Sequence, residues 1–365
     1  MKALVTGANG FLGSKLVQQL LEQGYVVTAM TRRREDIPSG LNVTAVHGDV
    51  RSFENVLQAC QGQEVVFHTA AISGIWGPWK LFHGTNTIGT RNVVEACLQS
   101  KVRKLVYTSS PSVTFDGEHQ ANVNESAPYP RKWLCHYPHS KALAEKYVLQ
   151  ANDHDELMTC ALRPHLIWGP GDRHLIPRLI KRAKAKQLKR VGDGTNQVDT
   201  IYIDNAAMAH IQAAEAMEPG SPVCGSAYFL SQDDPVNCWG WINDVLSLAA
   251  LPRVRQSISY YWAYRLGYTL ESLYELGNLK SEPRMTRFLA AQLAKNHYFD
   301  ISRAKNDFGY YPRVSSSEGM KRLGASLSRD LVVRQTADQS EYGVGESDYR
   351  IGDDTKKARS KRTEL

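Results

Sequence analysis

Tyr137 and Lys141 stand four residues apart in the run Tyr137-Pro138-His139-Ser140-Lys141, a spacing that places both side chains on one face of a helix. Pro138 is tolerated only in the first helical turn, which puts Tyr137 at the start of that helix. A phenol with an ordinary pKa near 10 is a weak acid–base catalyst at neutral pH. A neighbouring ammonium favours the phenolate, so Lys141 is expected to lower the pKa of Tyr137 and make it a proton-transfer group. Lys141 is also suited to hydrogen-bond the ribose of a nicotinamide cofactor. Taken alone, Tyr137 reads equally as a half-buried helix tyrosine, because the chain contains 17 tyrosines. Ser109-Ser110 follows the apolar run Lys104–Thr108 and falls at its carboxyl end. A hydroxyl there can bind a carbonyl oxygen and stabilise charge developing on it. As an isolated pair the serines read equally as turn residues bonding local backbone.

A second constellation is Thr6-Gly7-Ala8-Asn9-Gly10-Phe11-Leu12-Gly13, directly after Ala3-Leu4-Val5. An apolar strand, a glycine turn and a helix form the sequence pattern of a dinucleotide site. Gly7 allows the tight turn, Gly10 lets the backbone approach a pyrophosphate, and Gly13 lets the helix pack closely on the strand. The helix N-terminus then offers free N–H groups and a positive dipole end.

Positioning these groups requires a framework of strands and helices. Strands are expected at Ala3–Thr6, Val26–Met30, Val43–His47, Val65–His68, Leu105–Thr108 and Ala161–Arg163, with helices at Leu12–Leu21, Phe53–Ala59 and Thr90–Leu98 between them. This alternation predicts an α/β fold: a Rossmann-type doubly wound parallel sheet with a smaller, mainly helical C-terminal substrate lobe. Residues 1–165 are assigned to the dinucleotide-binding domain, its sheet completed by parts of 198–232, where Ile201–Ile203 and Tyr228–Leu230 read as strands. Residues 166–197 and 233–330 are assigned to the substrate lobe. From about Arg334 onward apolar periodicity is lost, and 331–365 is expected to be a disordered tail. The tyrosine-rich stretch Ile258–Leu276 reads as a lid or core helix of that lobe, or as a surface that touches a membrane; Arg265 and Glu271, which interrupt its apolar face, favour the lid.

With 365 residues, 42% hydrophobic and 22% charged, the chain is an ordinary globular protein with room for a sizeable core. Its net charge of +7 is modest, and seven basic residues (Arg178, Lys181, Arg182, Lys184, Lys186, Lys189, Arg190) fall in one stretch. Leu175, Ile176, Leu179 and Ala183 turned inward make that stretch a solvated helix face, which argues against a nucleic-acid partner and leaves an anionic ligand as the alternative use. The six cysteines are widely spaced, without CxxC pairs or clustered histidines, which predicts reduced thiols, a cytoplasmic setting and no structural metal. No signal-peptide h-region follows the N-terminus and no apolar run is long enough to span a bilayer.

Together these residues resemble the extended short-chain dehydrogenase/reductase superfamily over roughly residues 1–325. The matching pieces are Thr6–Gly13, Gly48-Asp49-Val50, His68-Thr69-Ala70-Ala71, Asn86–Thr90, Tyr107–Ser110, Tyr137–Lys141, Leu162-Arg163-Pro164 and Gly169–Asp172. Gly192–Asn196, Tyr202–Ala207, His297–Asp300 and Ala304–Tyr310 are similar to the 3β-hydroxysteroid dehydrogenase branch, and to the 2-alkyl-3-oxoalkanoate reductases within it. The resemblance implies that Ser110 orients a carbonyl, Tyr137 transfers the proton, Lys141 supports both, and Asn86 helps hold the active-site helix and a water. It implies cofactor contacts at Gly7, Asn9, Gly10, Phe11, Leu12, Gly13, Val50, Ala70 and Pro164, with Asp49 beside the adenine.

One departure bears on the cofactor. An NAD enzyme of this fold usually has an acidic residue after the second strand. Here Thr31 leads into Arg32-Arg33-Arg34, with no acid before Glu35, so a 2′-phosphate is suited and NADP(H) is favoured over NAD(H). The expected activity is interconversion of a secondary alcohol and a ketone on a bulky hydrophobic substrate. A steroid or sterol 3β-hydroxyl comes first, a long-chain β-keto acid second and a nucleotide-sugar epimerase or dehydratase third. Trp76, Trp133, Trp168 and Trp262 are candidate pocket walls. The partners expected are that small molecule, a second copy of the chain and peripheral contact with a membrane.

Overall fold

The computed structural model describes residues 1–32 and 42–342. In chain order the elements begin β1 (Lys2–Thr6), α1 (Phe11–Glu22), β2 (Val26–Thr31), β3 (Thr44–His47), α2 (Phe53–Cys60) and β4 (Val65–His68). Then come α3 (Trp79–Phe82), a π-helical turn at His83–Ile88, α4 (Gly89–Gln99), β5 (Lys104–Thr108), a 3-10 turn at Pro111–Thr114 and β6 (Gln120–Val123). They continue with α5 (His136–Gln150), β7 (Met158–Pro164), β8 (Ile167–Trp168), α6 (Leu175–Lys184), β9 (Arg190–Val191), β10 (Gln197–Val198) and β11 (Ile201–Tyr202). The remainder is α7 (Ile203–Ala216), β12 (Ser226–Leu230), β13 (Val236–Asn237), α8 (Cys238–Leu248), β14 (Ser257–Ile258), α9 (Tyr260–Leu276), α10 (Arg287–Ala294), β15 (His297–Phe299), α11 (Ser302–Phe308) and α12 (Ser316–Tyr342).

Seven parallel strands form the main sheet in the order β12-β7-β5-β4-β1-β2-β3. The chain runs outward from β1 in one direction and then from β4 in the other, so the carboxyl ends of β1 and β4 open a crevice where ligands of such sheets bind. Helices cover both faces, which explains why β7 is buried along its whole length. Leu12, Leu16 and Leu20 of α1 pack with Ala206, Ala209 and Ala213 of α7 in one core, while Val56, Val93, Ala144 and Val148 from α2, α4 and α5 fill the other. A second, four-stranded sheet has the order β13-β10-β15-β6, and β6 joins it from the first half of the chain.

Two expectations need correction. Ile203, read as the end of a strand, opens α7, because β11 is only two residues long. The stretch from 331, expected to be disordered, starts as helix: α12 continues to Tyr342, and 343–365 lie outside the described residues. Arg33, Arg34 and Glu35 also lie outside them.

Candidate active site

At the end of β1 the chain turns at Gly7, whose φ of +69° falls in the left-handed region. A Cβ there would sit 2.8 Å from the Ala70 Cα, and one at Gly13 would collide with the Gly7 carbonyl. The Gly10 N–H donates to the Gly7 carbonyl at 2.8 Å, which closes the turn and starts α1. In front of it lies a cavity of about 150 Å³ lined by Asn9, Gly10, Phe11, Ser14, Lys15, Pro170, Gly171, Arg173 and Ile203. Bare glycine backbone, a helix N-terminus and two cationic side chains suit a pyrophosphate, so the site fits a dinucleotide. Lys15 and Arg173 escaped the sequence reading; Arg173 could have been found from the Gly169-Pro170-Gly171 turn beside it. Leu12 turns its side chain into the core, so its part in the site is confined to backbone. Val50 is also buried, packed so tightly against α4 that a Cβ at Gly89 would reach 2.7 Å from its Cγ2. Pro164 ends β7 in register with Leu230.

Asp49 follows β3 and Arg32 follows β2, close enough for the charge of Arg32 to act on the Asp49 carboxylate. The Arg51 guanidinium grips the Asp49 carboxylate, with Nη2 at 2.7 Å from Oδ2 and Nε at 3.1 Å from Oδ1. Arg51, aided by the charge of Arg32, holds that carboxyl below its usual range. Asp49, expected to contact adenine, therefore already has a partner in Arg51, a residue the sequence reading passed over. Arg32 is exposed at the end of β2.

The catalytic candidates converge where β5 ends and α5 begins. Ser110 caps the 3-10 turn, its Oγ 2.8 Å from Ser112 Oγ. Tyr137 lies in the first turn of α5, as Pro138 requires, with its phenol on the Ser110 side of the site. Burial pushes the Tyr137 phenol above its usual pKa, with Ser110 opposing the rise and the Cys135 thiol adding to it. The expected lowering by Lys141 is thus not met. Lys141 donates from Nζ to the Thr108 carbonyl at 2.5 Å and lies over the Tyr107 ring at 4.2 Å. Burial pulls the Lys141 ammonium down to about 7, with Glu145 opposing the shift. Lys141 thus turns its ammonium to the Thr108 carbonyl in surroundings that disfavour its charged form.

Asn86 is only 1% exposed and sits in the π-helical turn, a helix distortion common at functional sites. Its Oδ1 accepts from the Ile72 N–H at 2.8 Å, and its Nδ2 donates to the Ile72 carbonyl and to Ser140 Oγ, both at 3.0 Å. Ser140 Oγ in turn donates to the Tyr137 carbonyl at 2.8 Å. Asn86 therefore ties the loop after β4 to the start of α5. His68 continues the network between Thr6 Oγ1 (2.7 Å) and Thr90 Oγ1 (2.9 Å), and burial with the Lys141 charge pulls it to about 3, so it is neutral.

Behind Lys141 lies an ion pair the sequence reading missed. Arg163 Nη2 approaches Glu145 Oε1 at 2.6 Å, both buried, and the half-buried Tyr129 donates its phenolic hydrogen to the same oxygen at 2.7 Å. Burial acts to raise the Glu145 carboxyl, yet Arg163 and Tyr129 keep it below its usual range. Its position four residues after Lys141 was a usable signal.

The candidate walls divide. Trp133 stacks on His139 at 5.2 Å, and Trp76 meets the Tyr274 ring edge-on at 6.0 Å while its Nε1 donates to the Leu279 carbonyl. Trp168 is instead fully buried against Tyr202 and Trp241, and Trp262 points outward, 63% exposed. Neither lines a pocket. Phe115, Phe288 and Ala291, with Ile75, Leu134, Cys135 and Tyr260, form an apolar layer that includes the N-cap residue of α5, Cys135. Glu271 does not interrupt the outer face of α9, as expected, but turns inward to bond the Arg287 N–H at 2.7 Å and cap α10. No helix among the described residues is long and apolar enough to cross a membrane.

Comparison with known proteins places the chain in a family. The model of the 3-beta hydroxysteroid dehydrogenase/isomerase family matches residues 4–253. The chain is 49% identical over 332 residues to the 2-alkyl-3-oxoalkanoate reductase of Shewanella oneidensis, covering 89% of this chain and 86% of that one. It is 34% identical to the decarboxylating sterol-4-alpha-carboxylate 3-dehydrogenase of Mus musculus, covering 89% and 91%. Among solved structures, MoeE5 in complex with UDP-glucose and NAD superimposes with a TM-score of 0.71 at 25% identity, covering 91% of this chain and 100% of that one. The chain belongs to the 3-beta hydroxysteroid dehydrogenase/isomerase family, within the extended short-chain dehydrogenases/reductases, and is a nicotinamide-dependent oxidoreductase.

Proposed function

We propose that the protein reduces the ketone of a long-chain 2-alkyl-3-oxoalkanoate to the secondary alcohol, with NADPH preferred over NADH. The observation that carries this reading is the 49% identity to the Shewanella reductase, against 34% to the mouse sterol enzyme. It reverses the order drawn from sequence, which put a steroid 3β-hydroxyl first. When bound, a nicotinamide dinucleotide supplies the hydride for reduction. This chain's residues do the rest. Ser110 Oγ binds the carbonyl oxygen and Tyr137 Oη delivers a proton to that oxygen as charge develops on it. Lys141 steadies the site through Thr108, and Asn86 fixes where α5 begins. The apolar layer of Phe115, Phe288 and Tyr260 gives the alkyl arms a dry wall.

Gly7, Gly10 and Gly13, with Lys15 and Arg173, would hold the pyrophosphate. Arg32 and Arg51 at the rim support a 2′-phosphate and hence NADPH. Residues 1–165 with parts of 198–232 form the cofactor part in this reading, and 166–197 with 233–330 cover the substrate.

The test is oxidation of a synthetic 2-alkyl-3-hydroxyalkanoate with two long arms, run beside a 3β-hydroxysteroid with NADP⁺ and with NAD⁺. The reading expects kcat/KM at least about tenfold higher for the hydroxy acid, a difference near 1.4 kcal/mol in transition-state binding. A steroid preference of that size would refute it and support the sterol reading, to which the mouse relative corresponds.

A further inference from the structure

On α9, Trp262, Leu266, Thr269, Leu273 and Leu276 recur at alternating spacings of four and three, which aligns them in one stripe. All five are exposed: Trp262 by 63%, Leu273 by 56% and Leu276 by 87%. Tyr261 and Tyr268, each more than half exposed, flank the stripe. Its polar groups are already satisfied by the helix, because Thr269 Oγ1 donates to the Arg265 carbonyl and Ser272 Oγ to the Tyr268 carbonyl, both at 3.0 Å.

The opposite face of α9 is fixed to the protein. A Cβ at Gly267 would lie 2.6 Å from the Thr286 carbonyl carbon, and Glu271 caps α10. The stripe therefore cannot turn inward.

Both ends of α9 are tied to the basic stretch of residues 175–190, which contains no acidic residue. At one end β14 pairs with β9, Ser257 opposite Arg190. At the other, Glu282 bridges Arg178 and Arg182 of α6. Lys181, Lys184, Lys186, Lys189 and Arg190 remain exposed along that stretch.

An apolar stripe bordered by Trp and Tyr beside exposed lysines matches an anionic bilayer surface in shape and charge. A second copy fits less well, since a stripe of 15 residues is about 22 Å long. Such a strip falls short of the roughly 800 Å² per partner that a stable interface buries. We propose that α9 and the basic stretch beside it dock on an anionic lipid surface, so that α9 covers the site from the side on which a long-chain substrate is held. This rests on the apolar substrate proposed above. Tyr274 of α9 meets Trp76 of the loop after β4, and Leu279, just beyond α9, accepts a hydrogen bond from Trp76 Nε1.

The experiment is co-sedimentation of the full chain with vesicles of phosphatidylcholine alone or mixed with phosphatidylglycerol, at low and high salt. Two variants accompany it: Trp262→Ser, Leu266→Ser and Leu273→Ser combined, and Lys184→Glu with Lys189→Glu. The wild type should bind the phosphatidylglycerol vesicles, more weakly as salt rises, and each variant should bind them about tenfold or more weakly. Wild-type protein left in the supernatant, or equal binding by the stripe variant, would overturn the proposal. So would a wild-type dimer in light scattering that the stripe variant dissolves while no vesicle is bound. Unchanged turnover of a short-chain, water-soluble substrate by the stripe variant separates lost docking from misfolding. Vesicle binding uses no substrate, so docking without turnover of any keto acid would support the surface and refute only the substrate reading.

Discussion

Replacing Asn86 with alanine tests whether the π-helical turn positions the catalytic helix. The change removes three hydrogen bonds, two to Ile72 and one to Ser140, from a side chain only 1% exposed. The Ile72 N–H and carbonyl lose their side-chain partners, and each stranded group costs about 1–3 kcal/mol. Water admitted to the vacated space recovers part of that, so a net loss of about 2–3 kcal/mol is expected. For a chain of 365 residues that lowers the midpoint of thermal unfolding by roughly 3–4 °C. Ser140 keeps its bond to the Tyr137 carbonyl at 2.8 Å but loses the group that orients it. The start of α5 should shift by a fraction of an ångström, and kcat should fall about tenfold or more while cofactor affinity is kept. Differential scanning calorimetry, cofactor titration and steady-state kinetics on the hydroxy acid read these quantities separately. Thr87→Val, which removes the bond from Thr87 Oγ1 to the Ser140 carbonyl, should show a smaller effect in the same direction. A stability change below about 0.5 kcal/mol with full kcat in Asn86→Ala would refute the tether.

Further outcomes follow from the site. Tyr137→Phe should lower kcat about 10²–10⁴-fold with cofactor binding intact, as fluorescence titration would show. Arg32→Ala, at an exposed position, should weaken NADPH binding about tenfold and leave NADH unchanged; an equal effect on both would remove the argument for a 2′-phosphate site. Lys141 has its pKa lowered from 10.5 to about 7 on folding, so between these values the unfolded chain binds more protons and stability rises with pH. The slope is cleanest from pH 7 to 9, because buried thiols such as Cys135, raised from 9.0 to about 12, act in the opposite sense above that. Denaturant unfolding should show the rise in the wild type and its absence in Lys141→Met.

Much of the framework is legible in the sequence because its determinants are local. A tight turn at positive φ and a close approach of backbone to backbone call for glycine whatever the rest of the chain does, so Gly7 and Gly13 mark the cradle unaided. The apolar runs of the buried parallel strands and the proline one residue after Tyr137 act over a few residues as well, and the elements they predict stand within a few positions of those observed.

Side-chain partners are set by what folds against them, and there the sequence is silent. Glu271 was read as an interruption of an apolar face, but the rotation of α9 against α10 turns it inward and leaves Trp262 outside. Trp168 looked like a pocket wall until Tyr202 and Trp241 enclosed it. Spacing put Lys141 beside Tyr137, yet the strand beneath supplies the Thr108 carbonyl and burial moves both pKa values. The amino-acid sequence by itself determined where the glycine turn opens α1 and that Tyr137 and Lys141 share one helix. Only the tertiary structure decided which groups those residues meet and how strongly each is charged, because desolvation and hydrogen bonding belong to the packed environment and not to the residue.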